Sequence, residues 1–296
     1  MKENSDIRRF RDRLKMLPTG GELLFSVEIV PPHGTNFDKI LEIARSFAPH
    51  ACALNIPSNP MSKLKMSSIA AAHIIQNRLG VEAIPHITCR DSNVLGLQSE
   101  LLGASALGLQ NLLIITGDRP EVGDHPQVKP VFEIGSLELI RLARRLNNGE
   151  DAVGQKLNGN TDFFIGVGAN PLAQDMDDEL ERLSRKKEAG AGFVQTQPVF
   201  ETDRVIEFLK KARPIGIPIM ISIMFLNDKM VNYFTSGKSG IHIPESVAKR
   251  ITQNGADGML ETAKEIVSAL KGYVSGFHLM PIAQQELALK FLEYEQ

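Results

Sequence analysis

Cysteine is nearly absent: Cys52 and Cys89 are the only two in 296 residues. Two cysteines build no disulfide framework, and neither a Cys-x-x-Cys pair nor a Cys/His zinc spacing occurs. An excess of either charge is also missing. Thirty-three Lys+Arg against 35 Asp+Glu leave a net charge of −2, so no global basic field exists to hold nucleic acid or an anionic membrane. No apolar run approaches the ~20 residues that span a bilayer. The opening, MKENSDIRRF, has no apolar h-region, so no secretory leader is expected. Heptads, tandem repeats and low-complexity tracts are missing too. These absences leave a cytoplasmic globular protein as the expectation, and 43% hydrophobic with 23% charged residues excludes disorder.

What is present is a recurring pair: a short apolar run, then an amphipathic helical stretch. The runs span 23–30, 51–57, 82–89, 111–117, 163–170, 193–199, 218–224 and 276–282. Each is flanked by Gly, Pro or Asn, as buried strands are, and the near-continuous apolarity suits a parallel sheet covered on both faces. Helical spacing fills 37–48, 61–79, 93–107, 135–146, 175–189, 201–212, 244–271 and 283–295. Eight strand–helix units predict a single (β/α)8 TIM barrel over 1–296, with an extra N-terminal helix in a 1–20 extension. A doubly wound open sheet is the weaker reading. Its Gly-rich first turn is replaced here by Pro31-Pro32-His33-Gly34. The stretches 118–134 and 147–162 are the longest irregular pieces, and such loops are usually functional or mobile.

Barrel chemistry sits at the C-terminal ends of the strands. Those ends hold Glu28, Asn55, Thr88 with Cys89, Asp118, Asn170, Gln197, Phe225 and Met280. No lysine stands among them for a Schiff base, and no H-x-H or paired carboxylates for a metal. Alternation puts Leu24, Ser26 and Glu28 on one face of the first strand. A lone carboxylate there is either a desolvated acid with a raised pKa or the partner of a nearby arginine. Gly117-Asp118 either lets backbone approach a ligand or simply turns. Gln195 and Gln197 share a face, and they either read a heterocycle or bond each other. His86 alone reads as a satisfied core histidine, and Arg185-Lys186-Lys187 as a solvated helix face.

The stretches SVEIVPP, PHITCRDSNVLGLQSELLGASALGLQNLLIITGDRP, FFIGVGANP and FVQTQPVF resemble the methylenetetrahydrofolate reductase family from about residue 20 to the C-terminus. The likeness is greatest to the branch that also occurs fused to a homocysteine methyltransferase, where TGD replaces RGD. The resemblance implies a (β/α)8 barrel carrying FAD that reduces 5,10-methylenetetrahydrofolate to 5-methyltetrahydrofolate. It implies Glu28 as the acid that opens the folate's five-membered ring, Asp118 beside flavin and pterin, and Gln197 on the pterin. It implies FAD contacts at Asn55, Ser58, His86, Thr88, Gly117, Asp118, Asn170, Glu179, Arg182, Arg185 and Lys186. The basic run then faces phosphates instead of solvent.

Three positions depart from the family pattern. Thr116 and Gln284 stand where many members have arginine, and Phe225 where many have proline. Gln284 and Phe225 are expected near the folate. The electron donor is NADH, NADPH or a reduced partner protein, and the resemblance implies a homo-oligomer. Two other readings stay open: a partner-dependent or non-catalytic flavoprotein subunit, and a flavin-free barrel reductase.

Overall fold

The computed structural model describes residues 9–15, 23–235 and 241–295. Eight strands pair in parallel and in sequence order into a closed barrel. They are β1 (Phe25–Glu28), β2 (Ala53–Ile56), β3 (Ala83–Thr88), β4 (Asn111–Ile115), β5 (Phe164–Ala169), β6 (Phe193–Pro198), β7 (Ile219–Met224) and β8 (Gly276–Met280). The ring closes where Phe25 pairs with Phe277 and Ser26 with His278. Each strand falls inside one of the eight apolar runs. Outside them lie α2 (Asp38–Phe47), α3 (Ser68–Leu79), α4 (Val94–Ala106), α5 (Ser136–Asn147), α6 (Met176–Ala189), α7 (Asp203–Ala212), α9 (Glu245–Leu270) and α10 (Gln285–Glu295). Of the expected N-terminal extension, α1 (Phe10–Lys15) is formed, while 1–8 and 16–22 lie outside the described residues.

Period-2 alternation sorts the inward side chains into layers. The lowest holds Leu24, Ala53, Ile84, Leu113, Phe164, Phe193 and Met220, closed from below by Phe10 and Leu14 of α1. Phe10 meets Phe164 and Phe193 edge-on, with centroids 6.1 and 5.2 Å away. Gly166 is required here, since a Cβ would stand 2.3 Å from the Phe193 ring. Among the described residues the barrel interior is therefore plugged at this end by apolar side chains.

Three details differ from the periodicity. The helix expected over 61–79 begins only at Ser68, because Asn59, Met61 and Ser62 adopt left-handed φ of 43°, 53° and 52°. Helical spacing in 244–271 is interrupted at Gly255, whose φ of 54° breaks α9. A short helix, α8 (Asp228–Tyr233), follows β7, capped by the Asn227 side chain on the Met230 N–H. The loop 147–162 is pinned rather than loose. Asn147 accepts from Thr161 Oγ1 and the Phe163 N–H and donates to the Phe163 carbonyl.

Candidate active site at the barrel mouth

The middle layer is polar and sits just beneath the mouth. Asn55 Nδ2 donates to Gln195 Oε1 at 2.7 Å, and Gln195 Nε2 returns a bond to Asn55 Oδ1 at 3.1 Å. Gln195 Nε2 also reaches Ser26 Oγ at 3.1 Å, and Ser26 Oγ meets His278 Nδ1 at 2.9 Å. On the other side Asn55 Nδ2 meets His86 Nε2 at 3.1 Å. The belt thus runs His278–Ser26–Gln195–Asn55–His86 across the barrel. Burial pushes both imidazoles down to about 3, so both are neutral. An Asn55 amide that donates to His86 Nε2 leaves the His86 proton on Nδ1. Gln195 bonds across the barrel to Asn55, and not to Gln197.

Above the belt stands Glu28, the last residue of β1. It has no hydrogen-bond or ion-pair partner among the described residues. Desolvation by burial pushes its carboxyl up to about 7. Of the two readings of this carboxylate, the arginine-paired one is therefore not what the structure has. Gln197 lies exposed at the rim, beside a register shift between Gln195 and Pro198. Thr196 Oγ1 fills the gap in the ladder by accepting the Ser222 N–H. Thr88 ends β3 in a buried position. It packs against Gly117, where a Cβ would stand 3.0 Å from Thr88 Cβ and where φ is +92°.

Asp118 follows Gly117 and is exposed at the rim. Its Oδ2 accepts the Met61 N–H at 2.8 Å, and its carbonyl accepts from Ser62 Oγ at 2.9 Å. Ser58 lies half-buried in the same loop after β2. The neighbouring Thr116 is exposed, and its carbonyl accepts the Cys89 N–H.

A separate cluster stands over β5. Glu179 is buried and accepts the Asn170 N–H at 2.9 Å, and Arg182 approaches it at 3.5 Å. Lys186 donates to the Gly168 carbonyl at 2.6 Å, and burial lowers its pKa. Arg185 is exposed. The α6 N-terminus itself does not suit an anion. Asp175 caps it and Asp177, Asp178 and Glu179 fill its first turn. The cations of α6 lie instead on its flank, at Arg182 and Arg185. Lys186 and the Asn170 turn lie beside that flank, with Glu179 held between them.

Two expected residues are placed differently from the rest. Phe225 is fully buried and packs edge-on against Phe291 at 5.6 Å, in the wall outside the barrel. Its ring has no surface for a folate, so the expectation that it touches substrate is corrected: a bulky apolar side chain just past β7 finds the core between β7 and α10. Gln284 is half-buried at the head of α10, its N–H on the Pro281 carbonyl, after Ile282 and Ala283 at φ of 29° and 61°. Its side chain makes no hydrogen bond to Glu28 or to Asp118. Sequence reasoning missed Arg90, which is 3% exposed beside Asp118. Its one signal was an arginine immediately after the third strand, in HITCRD.

Among solved structures, the EDTA monooxygenase EmoA from Chelativorans sp. BNC1 matches 93% of this chain and 94% of its own, with a TM-score of 0.56 at 9% identity. A 2,3-dimethylmalate lyase matches with a TM-score of 0.53 at 12% identity, over 96% of this chain and 82% of its own. Both likenesses concern the barrel fold alone. Curated relatives are more specific. A 5,10-methylenetetrahydrofolate reductase of Pectobacterium carotovorum is 23% identical over 90% of this chain and 88% of its own length. A probable methylenetetrahydrofolate reductase (NADPH) of Caenorhabditis elegans is 28% identical over 72% of this chain and 32% of its own. A probable methylenetetrahydrofolate reductase (NADH) of rice is 26% identical over 90% of this chain and 44% of its own. The chain thus spans a third to a half of those two eukaryotic relatives. The family model for methylenetetrahydrofolate reductase matches residues 13–295, and on that match the chain belongs to the methylenetetrahydrofolate reductase family.

Proposed function

We propose that this chain reduces 5,10-methylenetetrahydrofolate to 5-methyltetrahydrofolate, with FAD held at the barrel mouth and a nicotinamide as donor. The observation that carries the reading is Glu28: an unpartnered carboxyl at the mouth, held near 7 by burial. An acid with that pKa is substantially protonated at neutral pH, as ring opening of the folate requires. The family match and the Asp118 carboxylate at the same rim support it.

FAD, when bound, supplies the hydride that turns the methylene carbon into a methyl group. Arg182, Arg185, Lys186 and the Asn170 turn would hold its phosphates. Asn55, Ser58, His86, Thr88 and Gly117 would form the floor and wall against which it lies. Glu28 delivers a proton to N10 of the folate, directly or through one water, so that the ring opens to an N5 iminium. Asp118 keeps one carboxylate oxygen on the Met61 N–H. Its other oxygen remains to stabilise the positive charge that develops on the pterin. Gln197, exposed at the rim, offers an amide donor and acceptor to the pterin edge. The neutral belt below adds no charge to compete with Asp118.

The direct test supplies the purified chain with FAD, methylenetetrahydrofolate, and NADH or NADPH, and identifies the folate product. Formation of 5-methyltetrahydrofolate supports the reading. A flavin-loaded protein that yields none with either donor contradicts it.

A further inference from the structure

Arg90 is the least exposed Lys, Arg, Asp or Glu among the described residues, at 3%. It lies two residues past β3, between the loops that follow β2 and β4. Its Nε and one terminal nitrogen form a fork on the two Asp91 carboxylate oxygens, both at 2.7 Å. The fork neutralises the guanidinium locally. The other terminal nitrogen, NH1, donates to Ser62 Oγ at 2.9 Å, the Asp118 carbonyl at 3.2 Å and the Asn59 carbonyl at 3.4 Å. One buried nitrogen thus gathers acceptors from both loops.

The loop it gathers is strained. Asn59, Met61 and Ser62 all have left-handed φ, a conformation non-glycine residues keep only where surrounding structure over-determines it. Here the surroundings are the β4 loop. Ser62 Oγ donates to the Asp118 carbonyl, and Asp124 accepts the Leu64 N–H at 3.2 Å. Gly123 lies so close that a Cβ would stand 1.9 Å from the Ser62 carbonyl oxygen. The Met61 N–H that holds the Asp118 carboxylate belongs to this same strained segment.

We propose that Arg90 is a positioning residue that locks the β2 and β4 loops into one unit and so fixes the Asp118 carboxylate at the mouth. It acts through geometry, since its charge is already spent on Asp91. A lysine, with one compact ammonium, cannot serve Asp91 and three further acceptors at once. The role of the lock in the reaction rests on the proposed function. The lock itself does not.

The test uses the full chain with Arg90→Lys, and with Ser62→Ala as the milder variant should the first fold poorly. Amide hydrogen exchange is read for the segment 59–66 and for the barrel strands in the absence of any ligand. Oxidation of the reduced, FAD-loaded enzyme by methylenetetrahydrofolate is then timed in wild-type and Asp118→Asn backgrounds. The proposal expects exchange at Met61 and Leu64, whose N–H groups bond to the β4 loop, to rise tenfold or more, with the strands unchanged. It expects the folate step to slow by on the order of tenfold or more, and that slowing to vanish once Asp118 is already Asn. Unchanged exchange at 59–66 overturns the lock. Exchange rising equally throughout the barrel overturns it too, in favour of general destabilisation. A slowing that persists in the Asp118→Asn background overturns positioning through Asp118. Should Asp118→Asn alone leave the folate step intact, it is the catalytic reading of Asp118 that fails, and the exchange result decides the lock by itself.

Discussion

Replacing Glu28 with glutamine should make the protein more stable and less active at once, and the two effects should depend on pH in linked ways. The carboxyl is held near 7 in the fold, against an ordinary 4.5, through desolvation. Between those two pH values the native state binds a proton that the unfolded chain has already lost. Stability is therefore full below about 4.5 and falls as pH rises through about 7. The full span is worth roughly 3 kcal/mol. Glutamine keeps the shape and removes the ionisation, so it escapes this loss. Urea unfolding of the ligand-free protein at pH 5 and pH 8 measures the difference. Glu28→Gln should resemble wild type at pH 5 and exceed it by up to roughly 3 kcal/mol at pH 8. In the same variant the folate step should fall by on the order of 10² or more, while reduction of bound FAD by a nicotinamide is spared. The wild-type folate step should decline above pH 7 as the acid is lost. A stability difference that is the same at both pH values would refute the desolvated-acid argument. Equal loss of both half-reactions would remove Glu28 from the acid role.

The other expectations concern the belt, the wall and the cationic flank. Gln195→Leu strands the Asn55 amide in the barrel interior and should cost about 1–3 kcal/mol in denaturant unfolding. Adding Asn55→Leu should cost less than the sum of the two single changes, and strict additivity would argue against their pairing. Phe225→Leu removes a ring packed on Phe291, and should lower the melting temperature while leaving the folate KM within about twofold. A large KM change would return Phe225 to the substrate site. Arg185→Ala should weaken FAD retention, seen as flavin lost on gel filtration, with the difference from wild type largest at low salt and shrinking at high salt. Retention equal to wild type would place the phosphates elsewhere.

The barrel was legible because its signal is repeated. Eight apolar runs bounded by Gly, Pro or Asn leave little choice of architecture, and every strand falls within one. Period-2 alternation also put Leu24, Ser26 and Glu28 on one face of β1, and Leu24 and Ser26 are found inside the barrel. What it could not say is which inward polar groups meet each other. Asn55 and Gln195 are 140 residues apart and join only because the barrel closes. The start of α3 was read too early, since apolar spacing in MSKLKMSS persists through backbone that the Asp118 and Arg90 contacts hold left-handed. Phe225 was read as a site residue from its position after a strand, but position does not tell whether a side chain faces the mouth or the wall. Arg90 was overlooked for a related reason. A buried arginine and an exposed one look alike until its acceptors are known, and here they come from three separate loops.

The most direct test of the central claim is an anaerobic absorption spectrum of the purified protein. It is recorded as isolated or after FAD is added, then with NADH or NADPH, then with methylenetetrahydrofolate. The account predicts a flavin band that a nicotinamide bleaches and the folate restores. A band that ignores both nicotinamides yet, once reduced chemically, is restored by folate would move the donor to a partner protein. A protein that takes up no FAD, or whose reduced flavin ignores the folate, would contradict the account.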